Sequence, residues 1–255
     1  MQRYHLSAAV GLAALIVGAT CPARAGTFDV KDPEITKGET EISTNHTVSS
    51  GFPAYADRIR HSFELAAGYA FTDNFKAGAK FGFDTYVGDD PQLSTAGVEG
   101  QIFLGKFGPA VTLAWYTGLD VGIHHGETNT LAFGPLIKFG DEKLALTLNP
   151  LFEQTLGANR EHGIGFAYAV GLKSMLREGL GLGVEAHGSI PDIGDPPAGQ
   201  FHEHRIGPVL YIDREISPAR DGQSARKLSL EIGTFVGLTD ATPDWSGKVK
   251  AALTW

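Results

Sequence analysis

Apolar and polar residues alternate along most of the chain with a period of two. In residues 111–123 the odd positions are almost all large and apolar, whereas the even positions between them are Thr, Ala, Tyr, Gly and Asp. Residues 75–84 repeat this pattern, with Phe and Ala set against Lys, Gly and Asp. A period of two predicts β-strands with two unlike faces, because a helix would spread such residues around its whole surface.

The same pattern along the whole chain predicts about twelve strands. Their predicted bounds are 37–48, 58–70, 75–85, 94–104, 110–124, 129–139, 143–155, 163–173, 180–189, 202–213, 227–238 and 244–255. Most of the connections alternate between short and long, as in outer-membrane barrels that have tight periplasmic turns and longer outer loops. The connection 214–226 is an exception, because it is long where a short turn is expected.

One row of each predicted strand is nearly free of charge, and the other row carries the Asp, Glu, Lys and Arg residues. In a soluble β-sandwich the apolar rows would pack together and the charged rows would face water. In a lipid-embedded barrel the apolar rows face lipid and the charged rows face the lumen. Strands of this length match the ~9–11 residues that cross a bilayer at a tilt. We therefore predict an all-β, transmembrane antiparallel up-and-down barrel over residues 37–255, with both termini periplasmic and residues 26–36 as a periplasmic N-terminal segment.

The first 25 residues have the pattern of a secretory signal peptide. Arg3 gives a positive start, residues 6–19 are largely apolar, and Ala23-Arg24-Ala25 has the small-x-small pattern of a cleavage site. The apolar stretch is shorter than the ~18 residues of a spanning helix. We therefore expect a signal peptide that is cleaved after Ala25 and an exported product. Cleavage would remove Cys21, the single cysteine, so no disulfide or thiolate site is expected.

The overall charge excludes one class of partner. The formal net charge is −8 at pH 7, whereas a nucleic-acid-binding protein needs a basic face. No cofactor fingerprint is present either. We therefore expect neither a nucleic-acid partner nor a cofactor.

The last residues of the sequence carry a more specific pattern. Val249, Ala251 and Leu253 occupy alternate positions before an aromatic residue, Trp255. This arrangement resembles the assembly signal of Gram-negative outer-membrane proteins. The resemblance implies an outer-membrane location, with membrane lipids and the barrel assembly machinery as partners.

Three further patches, 37–41, 68–73 and 204–210, loosely resemble small proteobacterial barrels. Those barrels are often labelled transporters, or grouped with outer-membrane proteins of the phenol-degradation pathway. The resemblance implies a porin-like passage or binding site for a small solute, whose identity the sequence does not indicate.

Charged residues of the inward rows lend themselves to two interpretations. They form ion-pair ladders that plug and brace the barrel, or they line a hydrated passage and set its selectivity. Eight strands leave an interior that side chains fill, and 16–18 leave an aqueous channel, so about twelve strands leave both interpretations open. The residues expected to set selectivity in a passage are Glu64, Lys80, Glu99, Asp120, Glu231, Lys248 and Lys250.

Histidines concentrate in the predicted outer half, beside acidic loop residues. Imidazole is a common ligand of Zn, Cu and Ni, so a second hypothesis is metal-ion capture at this mouth. The candidate ligands are His124, His125, His187 and His202.

A third hypothesis is a lipid hydrolase. His187 and Ser189 have the His-x-Ser spacing of lipid A deacylases, and Glu185 or Glu203 would supply the orienting acid. However, parity places both side chains in the lumen, away from lipid, and residues 190–192 lack the Asn-Ala-Gly that those enzymes carry after the Ser. We therefore expect no enzymatic activity.

Overall fold

A computed structural model describes residues 28–52, 58–124, 127–158, 160, 163–196, 202–218 and 225–255. The predicted signal peptide, residues 1–25, lies outside these ranges. Within them, no helix is both long enough and apolar enough to cross a membrane.

The described residues form twelve β-strands, which confirms the predicted fold class. Their bounds are β1 Thr40–Ser50, β2 Arg60–Thr72, β3 Phe75–Tyr86, β4 Gln92–Phe107, β5 Val111–Gly122, β6 Asn129–Gly140, β7 Leu144–Leu156, β8 Gly165–Arg177, β9 Leu180–Ile190, β10 Glu203–Ser217, β11 Arg226–Gly237 and β12 Trp245–Thr254. Each strand pairs antiparallel with its neighbours in the chain, and β1 pairs with β12. The sheet is therefore a closed barrel, in which no strand has a free edge.

The two rows of each strand face opposite sides of this barrel. In β5, Ala114 and Tyr116 are buried, whereas Trp115 between them is 38% exposed. Inward charges pair along the wall, as Lys80 of β3 does with Asp120 of β5 at 2.9 Å, over the intervening strand β4. The outward rows expose large apolar side chains around the ring, as expected for a barrel that faces lipid. Examples are Val98, Leu172, Leu182, Ile232, Val236 and Val249.

The two ends of the barrel differ in their connections. At the terminal end, where β1 begins and β12 ends, the turns after β2, β4, β6 and β8 are short. At the opposite end, the loop end, the connections are longer. The predicted long linker 214–226 is shorter than expected, because β10 continues to Ser217 and pairs there with Arg226, the first residue of β11. The charged run 213–215 places charges on both faces of β10, and this hid the alternation.

The N-terminal segment does not lie where we expected it. Residues 26–36 were predicted to precede the barrel in the periplasm, but residues 28–34 lie among inward-facing side chains. Phe28 is 7% exposed and clusters with Val209, Tyr211 and Phe235 of β10 and β11. We call residues 28–34 the luminal segment.

A tight turn redirects the chain from the luminal segment to the wall. Gly38 has a φ of +83°, which is a left-handed conformation that glycine adopts without a steric cost. The amide of Glu39 donates to the carbonyl of Thr36, and the amide of Gly38 donates to the carbonyl of Ala70 in β2. The chain therefore leaves the lumen at the terminal end and begins β1 at Thr40.

Candidate functional site in the barrel lumen

Phe28 anchors the deep end of the luminal segment. Its ring centroid lies 5.4 Å from that of Phe235 and 5.3 Å from that of His187. The guanidinium of Arg205 lies 4.4 Å from the ring centroid, within the range of a cation–π contact. The Phe28 carbonyl accepts a hydrogen bond of 3.0 Å from the Asn45 side chain. These contacts hold Phe28 against the wall formed by β9, β10, β11 and β1.

The middle of the segment is bonded to strands on well-separated sides of the ring. Asp29 pairs with Lys250 of β12 at 2.5 Å, and Lys31 pairs with Glu99 of β4 at 3.0 Å. Asn149 of β7 accepts from the Lys31 amide at 2.7 Å and donates to the Lys31 carbonyl at 3.0 Å. Because β12, β4 and β7 are distributed around the barrel, the segment crosses the lumen.

Two lysines of the wall hold the segment near the terminal end. Lys138 of β6 lies 2.8 Å from Asp32 and 3.1 Å from Glu34, and Lys106 of β4 lies 2.7 Å from Glu34. The Gln101 side chain also donates to the Asp32 carbonyl at 3.0 Å. The hydrogen bond from Lys106 lowers the pKa of the Glu34 carboxyl below its ordinary value, with a further contribution from Lys138 and partial burial acting against them.

All seven predicted selectivity residues lie in the lumen, but they form several groups. Lys248 pairs with Glu231 at 2.7 Å, and Lys80 pairs with Asp120. Glu99 and Lys250 hold the luminal segment, as described above. Glu64 lines a small cavity together with Asp29, Lys31, Glu99 and Lys250.

Sequence reasoning missed Lys106, and a β-bulge explains why. The register of β4 against β5 shifts between Phe103 and Gly105, and Gly105 has a φ of +139°. A bulge inserts one residue and so reverses the inward and outward positions beyond it. Strict alternation along β4 points Lys106 outward, whereas after the bulge it reaches Glu34. The glycine at position 105 was the signal that could have revealed this.

A second buried network braces the barrel beside Phe28. Glu185 accepts a hydrogen bond of 2.9 Å from the Lys248 ammonium at one carboxylate oxygen. Its other oxygen accepts a hydrogen bond of 2.9 Å from the Tyr211 hydroxyl. The His187 ring nitrogen Nε2 also lies 2.9 Å from Glu185. No hydrogen bond joins His187 to Ser189 in the described part of the chain. Within the described residues, the side-chain partner of His187 is therefore Glu185 and not Ser189.

The candidate metal ligands are not brought together. His187 is buried in the lumen, whereas His124 lies in an exposed loop and donates its amide to Glu127. The carbonyl of His202 accepts from the Thr239 hydroxyl at the loop end. His125 lies outside the described residues. Among the residues that are described, no group of three or more His, Cys, Asp or Glu could hold a metal ion.

A cavity of about 430 Å³ flanks the luminal segment. Its lining includes segment residues such as Asp32 and wall residues such as Glu41, Lys173 and Tyr211. Segment and wall residues therefore share the lining of this cavity.

The comparisons with known proteins identify the fold. No protein-family model and no curated protein matches the sequence. Among solved structures, an outer-membrane channel from Pseudomonas putida is similar, with a TM-score of 0.61, 11% identity, and coverage of 89% of this chain and 99% of the channel. The NanC porin has a TM-score of 0.53 and 6% identity over 85% of this chain and 98% of the porin.

A third similar structure is the KdgM porin in complex with disordered oligogalacturonate. Its TM-score is 0.52, with 10% identity over 84% of this chain and 98% of the porin. At these identities the similarity concerns the fold alone. This chain therefore shares the closed β-barrel fold of outer-membrane porins and channels.

Proposed function

We propose that this protein is an outer-membrane barrel that provides a passage for small solutes, and that the luminal segment occludes this passage. The supporting features are a charged lumen, an apolar outer surface and the porin fold. One of the similar porins was solved with oligogalacturonate, which is consistent with passage of a small solute through a barrel of this shape.

The observation that carries the proposal is the way in which the luminal segment is held. Its contacts are ion pairs, side-chain hydrogen bonds and the packing of Phe28, without a continuous strand pairing to the wall. Such contacts can be exchanged for water or for a solute, whereas the ladders between the twelve strands stay intact. The plugged and the open barrel are then two states of one molecule.

The outer surface supports a Gram-negative outer-membrane location. Val249 of β12 is exposed on the outward row, and Ala251 and Leu253 share that row. The exposed apolar side chains of the outward rows suit contact with lipid, because monomeric soluble proteins rarely expose such large contiguous apolar surfaces. We propose in addition that residues 1–25 are a cleaved signal peptide, that the termini are periplasmic, and that the alternation ending at Trp255 is read by the assembly machinery.

Planar-bilayer conductance of two proteins tests the passage. One is the chain from residue 26 onward, and the other lacks residues 26–36. We expect rare or small current steps from the first and larger, longer-lived steps from the second, because removal of the segment clears the lumen. Circular dichroism and heat-modifiable gel migration check that both barrels are folded. A folded deletion variant without current steps would contradict the proposal and favour a purely structural barrel.

We propose further that the protein has no catalytic role. His187, the only histidine of the suspected His-x-Ser site, bonds to Glu185 inside the lumen. Cells that overexpress the protein should therefore keep unchanged lipid A and phospholipid profiles in mass spectrometry. A new deacylated species that disappears with Ser189→Ala would overturn this proposal.

A further inference from the structure

We infer that three lysines of the lumen form a binding track for linear polycarboxylate solutes, such as short uronic-acid oligomers, and that the luminal segment occupies this track as a built-in substitute ligand. The lysines are Lys250, Lys138 and Lys106. The inference rests on the proposed passage and names the class of solute that it takes.

The first argument is the pairing itself. Each acidic residue of the luminal segment forms an ion pair with a lysine of the wall. The pairs are Asp29 with Lys250, Asp32 with Lys138, and Glu34 with both Lys138 and Lys106. The three lysines belong to β12, β6 and β4. A single extended chain with carboxylates along its length therefore connects separate sides of the lumen.

The lumen lysines fall into two sets, which is the second argument. Lys76, Lys80, Lys173 and Lys248 have carboxylate partners on the barrel wall, on the next strand or on the one after it. For the three track lysines, every ion pair within the described residues is made with the luminal segment. Release of the segment would thus break every ion pair that these three cations form, while the other lysines keep theirs. The side chains of Lys138 and Lys250 are only 15% and 17% exposed. An enclosed cation that loses its partner is costly, so a carboxylate solute is favoured over a neutral one at these two lysines.

The third argument is spacing. An extended chain advances at most ~3.3–3.6 Å per residue, so the carboxylates of residues 29, 32 and 34 are spread over up to roughly 17 Å. A compact anion would reach one or two of the lysines at a time. A linear oligomer with several carboxylates can reach all three, because each lysine places its charge on a flexible stem.

The polar side chains beside the track favour an oligosaccharide. Asn149 both donates to and accepts from the backbone of Lys31, and Gln101 and Asn45 donate to backbone carbonyls of the segment. A sugar hydroxyl also both donates and accepts, so it can replace either partner of these amides. Uronic-acid oligomers combine such hydroxyls with regularly spaced carboxylates.

Block of the current through the variant that lacks residues 26–36 tests this inference. Hexagalacturonate is added to either side, and neutral maltohexaose serves as the size-matched control solute. We expect the acidic oligomer to block the current at concentrations at least tenfold below those of the neutral one. A Lys106→Gln, Lys138→Gln double substitution in the same background should weaken the block at least tenfold. Arg226→Gln, on an outward position at the terminal end, should leave the block unchanged.

Two results would overturn the inference: equal block by both oligomers, or block that survives the double substitution. Titration calorimetry of the detergent-solubilised deletion variant keeps the test independent of conductance. If that variant does not conduct, the proposed passage fails, but tight binding of hexagalacturonate that depends on Lys106 and Lys138 would still support the track. If it conducts and neither measurement detects selective binding, only the track is refuted.

Discussion

Lys248 is fully buried and lies between two carboxylates, at 2.9 Å from Glu185 and 2.7 Å from Glu231. Glu185 receives further hydrogen bonds from Tyr211 and His187, so the lysine is the cation of a shared network. A network of this kind depends on every member, because a buried charge that loses its partner pays the full cost of desolvation. It braces the wall against which Phe28 packs.

Replacement of this cation should destabilise the barrel strongly. We expect Lys248→Met to lower the free energy of unfolding by about 3–5 kcal/mol, because Glu185 and Glu231 lose their buried cation. Urea unfolding in detergent, followed by tryptophan fluorescence, measures the change. Lys143→Met, in an exposed turn at the terminal end, is the matched control and should have little effect. An unchanged unfolding midpoint for Lys248→Met would show that water already neutralises these carboxylates.

At the scale of single elements, the luminal segment is the part of the chain whose attachment should respond to pH. The pKa of Glu34 is lower in the attached segment than in a released one, mainly because of the hydrogen bond from Lys106. The stabilisation that Glu34 contributes is therefore fully present above the ordinary carboxyl pKa of about 4.3 and is lost as the pH falls through the lowered value.

Acidification should accordingly open the barrel. We expect the open fraction in planar bilayers to rise as the pH is lowered below about 4, because protonated Glu34 no longer pairs with Lys106 and Lys138. Glu34→Gln should raise the open fraction at neutral pH and should show a smaller further rise in acid. If the open fraction of the unaltered chain falls in acid, the attachment of the segment does not depend on this carboxylate.

The elements also show where sequence patterns succeed and where they fail. The strands were predicted because a two-sided wall imposes alternation on nearly every inward and outward position. The pattern failed at the charged run 213–215 of β10 and at the bulge before Lys106 of β4. At residues 213–215, charges occupy both faces of the strand. At the bulge, an extra residue shifts the register and reverses the inward and outward positions.

At the scale of the whole molecule, the twelve-stranded wall was predictable from the sequence, whereas the luminal segment inside it was not. Alternation describes only the wall, and residues 28–34 alternate too briefly to show that they belong inside it. Their position follows from complementarity with distant residues such as Lys250 and Asn149, which are brought near only when the barrel closes. The same reasoning applies to the selectivity residues, since parity placed them in the lumen but could not pair them with the segment.

A disulfide between the segment and the wall tests the central claim most directly. Gly171 of β8 lies against Val30, and a Cβ placed on this glycine would be 3.6 Å from the Val30 Cβ, within the usual range for a disulfide. The chain from residue 26 onward has no cysteine, so an introduced pair would be unique. Val170, the adjacent position on the outward row, provides a matched control.

The measurement is the conductance of the Val30→Cys, Gly171→Cys variant before and after reduction. The account predicts that an oxidant cross-links this variant, that the oxidised barrel stays closed, and that a reducing agent raises its open fraction. The Val30→Cys, Val170→Cys control should form no cross-link. Absence of the cross-link in the Gly171 variant, or equal conductance of its oxidised and reduced forms, would contradict the claim that residues 28–34 occupy and close the lumen.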